Sequence, residues 1–325
     1  MTAVMEKPLT MPLADRRSVL KGALGGLFGV ALPSVAGVAL SGCAPEERLG
    51  VTALNDRLSL LSGAGANVLA LSTEEGAVLV DAGAPEQARA LLGEARRLPG
   101  GRGRIATVFN THYHRDQTGG NETLARAGAE IHAHVRTRLR LCTDVWDYEQ
   151  QRYHEARPPH AWPTKTFHSG GEMTAGEETI EYGYLIHAHT DGDIYVFFKD
   201  SNVLAVGDVA APARDPAFDW FAGGWLGGRV DALARLLTIA DESTRILPAH
   251  GPLMTRAELE AEHAMMTTLY ERVHTMFRAG RSAEDMLAEG ALADLGRAFE
   301  DPAKLLYDIH KGLWGHQSSM SPDIV

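Results

Sequence analysis

The sequence is poor in cysteine. Among 325 residues only Cys43 and Cys142 occur, too few for a disulfide framework or a four-thiolate zinc site. It also lacks clustered Lys and Arg: with 31 basic against 42 acidic residues, a formal charge of −11, the chain offers no surface suited to tracking phosphates, and no nucleic-acid partner is expected. One run, residues 22–40, is uncharged and long enough to suggest a membrane span, but its five glycines and Pro33 make it a poor, weakly hydrophobic helix. No repeat or low-complexity tract occurs. The hydrophobic share of 45% and charged share of 22% are those of a globular chain, and the length allows one large domain with appendages or two modest ones. Histidine, by contrast, is plentiful, with fourteen in the chain.

The N-terminus differs in kind from the rest. Asp15-Arg16-Arg17-Ser18-Val19-Leu20-Lys21 precedes the uncharged run, and Leu40-Ser41-Gly42-Cys43 follows it. This resembles a twin-arginine export signal over residues 1–42 joined to a lipoprotein cleavage box, with Asp15 where Ser or Thr is commoner. The resemblance implies cleavage before Cys43, acylation of its thiol, and a mature protein tethered to the membrane on the periplasmic side. The other reading is a plain N-terminal anchor helix. A linker is expected over residues 43–54.

Beyond it the pattern is mixed. Residues 67–72 and 76–81 are apolar runs joined by Thr73-Glu74-Glu75, a hairpin, and residues 85–97 carry Ala and Leu at helical spacing. Short strands are expected at 105–109, 130–134, 179–187, 194–199, 203–206 and 245–247, with helices at 121–127 and 230–241. Hairpins alternating with helices indicate an α+β fold of layered sheets covered by helices. From residue 256 to 325 the chain reads as a helical extension, whose apolar stripe of Met265, Met266, Leu269, Val273 and Met276 is a packing face.

The chemistry begins after Phe109. Asn110-Thr111-His112-Tyr113-His114-Arg115-Asp116-Gln117-Thr118-Gly119-Gly120-Asn121 sets two histidines and a carboxylate at alternate positions, so that their side chains can converge on one side as metal ligands require. Further candidates follow apolar runs and stand beside glycine or a turn: His189 in Ala188-His189-Thr190-Asp191-Gly192-Asp193, Asp208 in Val206-Gly207-Asp208, and His250 in Pro248-Ala249-His250-Gly251. His132, His134 and His187 read as structural. The aromatic, proline-containing stretch of residues 144–163 reads equally as a lid or as a packed connection, and residues 219–225 could line a pocket.

Together these segments resemble a metallo-β-lactamase-fold hydrolase over residues 55–255. The resemblance implies a four-layer αβ/βα sandwich with metal at one edge between the sheets. It also implies that His112, His114 and His189 hold a first zinc, that Asp208 bridges, and that Asp116 and His250 face a second metal, with Asp81 also near the cation. One position departs from the pattern: where the family has a further histidine after the aspartate, this chain has Gln117, a weaker ligand. One firm zinc site is therefore expected, and a second that is weaker, empty or differently occupied.

Three neutral imidazoles leave zinc its charge and an open position, so bound water would ionise near neutrality and attack an ester, lactone, thioester, amide or phosphoester, with Asp116 as the catalytic orienting or proton-accepting carboxylate. Two alternatives stand beside this small-molecule hydrolase. One is an iron-dependent redox enzyme of the same fold, although the flavodiiron type has glutamate where His114 stands. The other is a non-catalytic, membrane-tethered metal-binding protein, for which Gln117 is the best argument.

Overall fold

The computed structural model describes residues 49–100, 102–147 and 151–318. The expected export signal and the lipidation site Cys43 lie outside the described residues. Seven strands form one sheet: β1 (Gly50–Ala53), β2 (Leu58–Ser62), β3 (Val68–Leu71), β4 (Ala77–Val80), β5 (Ile105–Phe109), β6 (Glu130–His134) and, at the far edge, β9 (Lys165–Phe167). Between β6 and β9 the chain makes a separate hairpin, β7 (Val145–Asp147) with β8 (Arg152–His154). A second sheet runs in order through β10 (Gly170–Ala175), β11 (Glu178–Tyr184), β12 (Ile194–Phe198), β13 (Val203–Gly207) and β14 (Arg245–Pro248).

Successive side chains of a strand point to opposite faces, so a strand with no polar position has to be covered on both. Val68, Ala70, Ala77 and Leu79 accordingly pack outward on a helical layer of α1 (Ala88–Arg97) and α3 (Asn121–Arg126), through Leu91, Ala95 and Leu124. Their neighbours Leu69, Leu71, Val78 and Val80 face inward and meet Ile180, Ile194, Val196 and Phe198 of the second sheet. The second sheet repeats the pattern. Val203, Ala205 and Leu247 point to the first sheet, whereas Leu204, Val206 and Ile246 are covered by α5 (Leu226–Ile239), α6 (Arg256–Arg278) and α8 (Pro302–Ser318). The result is helix, sheet, sheet, helix, the expected four-layer sandwich. Each fully buried Leu, Ile or Phe contributes roughly 1.5–3 kcal/mol to it.

The C-terminal helices are present as expected, with α7 (Ala283–Ala288) between α6 and α8. Thr255 and Ser282 start α6 and α7 with capping boxes to Glu258 and Asp285. They share one core with the second sheet: Met266, Leu269, Val273, Leu306 and Ile309 are buried together with Leu204 and Ile246. The structure departs from the expected elements in several places. Residues 50–53, expected to be part of a linker, pair with β2 as an exposed edge strand. The helix α4 (Val135–Cys142) and the strands β2, β9 and β10 were not anticipated. No helix among the described residues is long and apolar enough to cross a membrane.

Candidate metal centre

All six candidate ligands stand just beyond strand C-termini at one edge of the sandwich: His112, His114 and Asp116 after β5, His189 after β11, Asp208 after β13 and His250 after β14. Backbone geometry makes this convergence possible. Gly207 ends β13 with φ +57°, and a Cβ there would come within 2.9 Å of Thr111, so only glycine lets the Asp208 turn approach the histidine loop. Gly120 lies as tightly against the Ala82 carbonyl, where a Cβ would come within 2.3 Å. The short helix α2 (Arg115–Thr118) between them is tied to the β4 end by the Ala82 N–H, which donates to the Gln117 carbonyl.

The side chains gather in two groups that share Asp208. His112, His114, His189 and Asp208 form one; Asp116, Asp208 and His250 form the other, and within each group the ligand atoms lie within 4.8 Å of one another. In the first group each imidazole has one nitrogen turned inward and the other tied to the protein. His112 Nδ1 lies 3.2 Å from the Thr111 hydroxyl, whose own proton goes to Asp81, 2.9 Å away. His189 Nδ1 donates to the Ala217 carbonyl at 2.9 Å, and His114 Nε2 lies 3.0 Å from the Asp219 carboxylate. These outer bonds select the tautomer that leaves an inward lone pair on each ring.

The inward atoms are less well provided for. His112 Nε2 is buried without a hydrogen-bond partner, 3.6 Å from Asp208, and His114 Nδ1 lies 3.1 Å from His189 Nε2. Three converging ring nitrogens beside a carboxylate, one of them buried and unpartnered, are an arrangement that a cation completes. The donor set therefore fits a divalent metal.

Electrostatics agree. Burial, reinforced by the neighbouring imidazoles, pushes His112 well below the ordinary histidine value, and burial brings His189 down to about 4, so both rings are neutral at physiological pH. His114 goes the other way: burial disfavours its cation, but Asp219 outweighs burial and raises it. Burial opposes ionisation of Asp116, yet the hydrogen bond to His250 at 3.0 Å, with lesser help from His112 and His114, holds its carboxyl down at about 2.

Asp81 does not join either group. Burial raises its carboxyl well above the usual range, and its oxygens accept the Thr111 N–H at 2.8 Å and the Thr111 hydroxyl, so it supports His112 from behind and is not a ligand. Gln117, where the resemblance expects histidine, is fully buried; its Nε2 donates to Asp116 at 3.2 Å and its Oε1 is without a hydrogen-bond partner. His187 packs against His316, and His134 bonds the His168 carbonyl and stacks on Tyr184, both outside the centre. Hydrogen bonds anchor the 144–163 stretch to α3 and α4, through Ala161 and Arg157.

Several residues of the centre were not anticipated. Asp219 lies in the stretch considered as pocket lining, but its carboxylate accepts from Tyr113 and His114. Arg214 pairs with Asp208 at 2.5 Å. Arg229, completely buried, donates to the carbonyls of Asp208, Val209 and Ala217 and so holds the Asp208 turn and the His189 acceptor in one frame.

The family model described as the metallo-beta-lactamase superfamily matches residues 62–250. No curated protein matches the sequence. Similar solved structures include a metallo-beta-lactamase from Pontibacter korlensis, at TM-score 0.54 and 21% identity over 68% of this chain and 99% of that one. A stereoselective inverting sec-alkylsulfatase from Pseudomonas sp. superposes at TM-score 0.60 and 16% identity, over 84% of this chain and 50% of that one. The metallo-beta-lactamase DIM-1 superposes at TM-score 0.53 and 19% identity, over 68% and 98%. At these identities the likeness is one of fold.

Proposed function

Since the chain belongs to the metallo-beta-lactamase superfamily, we propose that it is a zinc-dependent hydrolase of small molecules. The observation that carries this reading is the unpartnered, buried Nε2 of His112 beside the inward nitrogens of His114 and His189. His112, His114, His189 and Asp208 would hold the ion, and imidazole with carboxylate suits zinc. When bound, such an ion lowers the pKa of water toward neutrality and polarises the oxygen of an electrophile.

The chain's own residues do the rest. Asp116, ionised down to about pH 2, is an acceptor that orients a water and is not a store of protons at neutral pH. Thr111, Ala217 and Asp219 keep the three imidazoles in the required tautomers. Substrates of the reading are esters, lactones, thioesters, amides and phosphoesters, with β-lactams and secondary alkyl sulfates added by the names of the similar structures. Residues 1–43 support the further proposal that the enzyme works on the periplasmic side as a lipoprotein anchored through Cys43.

Metal analysis of the purified protein together with turnover of that substrate panel, before and after chelation, tests the reading. We expect bound zinc, chelator-sensitive hydrolysis of at least one class, and loss of both in His189→Ala. A wild-type protein without metal, or a His189→Ala variant with a full zinc complement, would sink it.

A further inference from the structure

The two groups that meet at Asp208 differ in how far the protein already satisfies them. In the histidine group His112 Nε2 is buried without a partner. In the Asp116, Asp208 and His250 group the inward oxygens are taken. Asp116 Oδ2 faces His250 Nε2 at 3.0 Å and the Gln117 amide nitrogen at 3.2 Å; Gln117 thus presents a donor, not its carbonyl oxygen, to that carboxylate. Asp208 turns Oδ2 toward His112 and His189, while its Oδ1, the oxygen 3.9 Å from His250, accepts Arg214 at 2.5 Å.

Arg214 is therefore a permanent cation on the Asp208 oxygen that lies nearer His250. A divalent ion on the same Oδ1 would meet the guanidinium across a single oxygen, a like-charge contact on a buried carboxylate. The guanidinium has five N–H donors, and among the described residues its one side-chain hydrogen bond goes to Asp208. With 37% of the side chain exposed, the remaining donors are open to a ligand. A planar fork of this kind suits carboxylate, sulfate or phosphate oxygens.

We propose that Arg214 takes the place of a second metal ion. It keeps zinc out of the Asp116, Asp208 and His250 group, and its free N–H groups bind an anionic oxygen group of the substrate beside the single metal. This rests on the hydrolase reading above and narrows it to substrates carrying such a group.

Zinc titration of the metal-free protein, with the bound metal counted after removal of excess, is the first arm. The wild type should retain one zinc per chain, and Arg214→Met should acquire a second that Arg214→Lys, which keeps the charge, does not. The second arm measures inorganic phosphate binding calorimetrically at one equivalent of zinc: Arg214→Met should weaken it at least about tenfold, the loss of one charge-assisted hydrogen bond, and Arg214→Lys much less. Two zincs of similar affinity in the wild type, or phosphate affinity unchanged in Arg214→Met, would overturn the proposal while leaving the hydrolase reading standing. A wild type that binds no zinc overturns both. Thermal melting of the three proteins confirms that each variant is folded.

Discussion

His114 Nε2 lies 3.0 Å from the Asp219 carboxylate, and the same carboxylate accepts the hydroxyl of Tyr113. The side chain before His114 and the side chain that orients it are thus locked together, although Asp219 is 105 residues further along the chain. Removing the carboxylate should free the imidazole to rotate. Asp219→Ala is expected to weaken zinc binding about 10- to 100-fold, as loss of an outer partner of a ligating histidine does. Competition with a chelator at neutral pH measures this; unchanged affinity would show that Asp219 does not act through His114.

The pH dependence follows from opposite shifts. Burial lowers His189 to about 4, from an ordinary 6.5, whereas Asp219 raises His114 against its burial. Histidine NMR titration of the metal-free protein should find His114 protonating before His189 as pH falls, and a shared midpoint would contradict this. Zinc has to displace the proton of His114, so as pH is lowered its affinity should begin to decline while the pH is still above 6.5.

The same shifts bear on stability with opposite signs. The stability contributed by His114 is present below 6.5 and is lost as pH rises through its folded value. His189 works the other way: the unfolded chain takes up its proton near 6.5 and the folded one only near 4. Its penalty therefore grows as pH falls between those values, to on the order of 3 kcal/mol. Asp193, which burial raises to about 7, opposes His189 over much of the same interval, because the folded state there binds the extra proton. Asp193→Asn should accordingly make the metal-free protein more acid-sensitive between pH 7 and 4, as read by thermal melting.

Arg229 is completely buried and serves three carbonyls at once. Arg229→Met would strand those carbonyls and take from Glu262, which burial already raises, the stronger of its two guanidinium neighbours. We expect a loss of about 3–5 kcal/mol in denaturant unfolding together with weaker zinc binding, since the Ala217 carbonyl that holds His189 is among the three. A loss below about 1 kcal/mol would mean that the frame does not depend on the guanidinium.

Phe198 provides the contrast. It is fully buried between the sheets, at the end of β12 away from Ile194, whose N–H bonds the Thr111 carbonyl beside the centre. Phe198→Ala should cost about 3–5 kcal/mol while the folded protein keeps its zinc stoichiometry. Loss of metal from the folded variant would show that the centre and the core are not separable.

The elements that were legible in the sequence are those buried on both faces or strongly periodic, such as β3, β4, β5, β13 and α6. Three of those that were not have weak signals for physical reasons. The strand β1 is exposed throughout at a sheet edge, β10 opens with two glycines and has one buried residue, and α4 buries only Thr137 and Leu141 among arginines. None of them has the apolar run or alternation from which a strand or helix is read.

For the centre, the sequence by itself determined which residue types were available and where: two histidines and a carboxylate at alternate positions after one strand, then His189, Asp208 and His250 after three others. Local spacing suffices for that, because each ligand follows its own strand. Only the tertiary structure decided which nitrogen of each imidazole is turned inward, that Asp81 stands behind His112, that Asp219 holds His114, and that Arg214 pairs with Asp208. Hydrogen bonds and charges act over about 3–4 Å in space whatever the distance along the chain. Their partners are chosen by the packing of the two sheets, which no local pattern records.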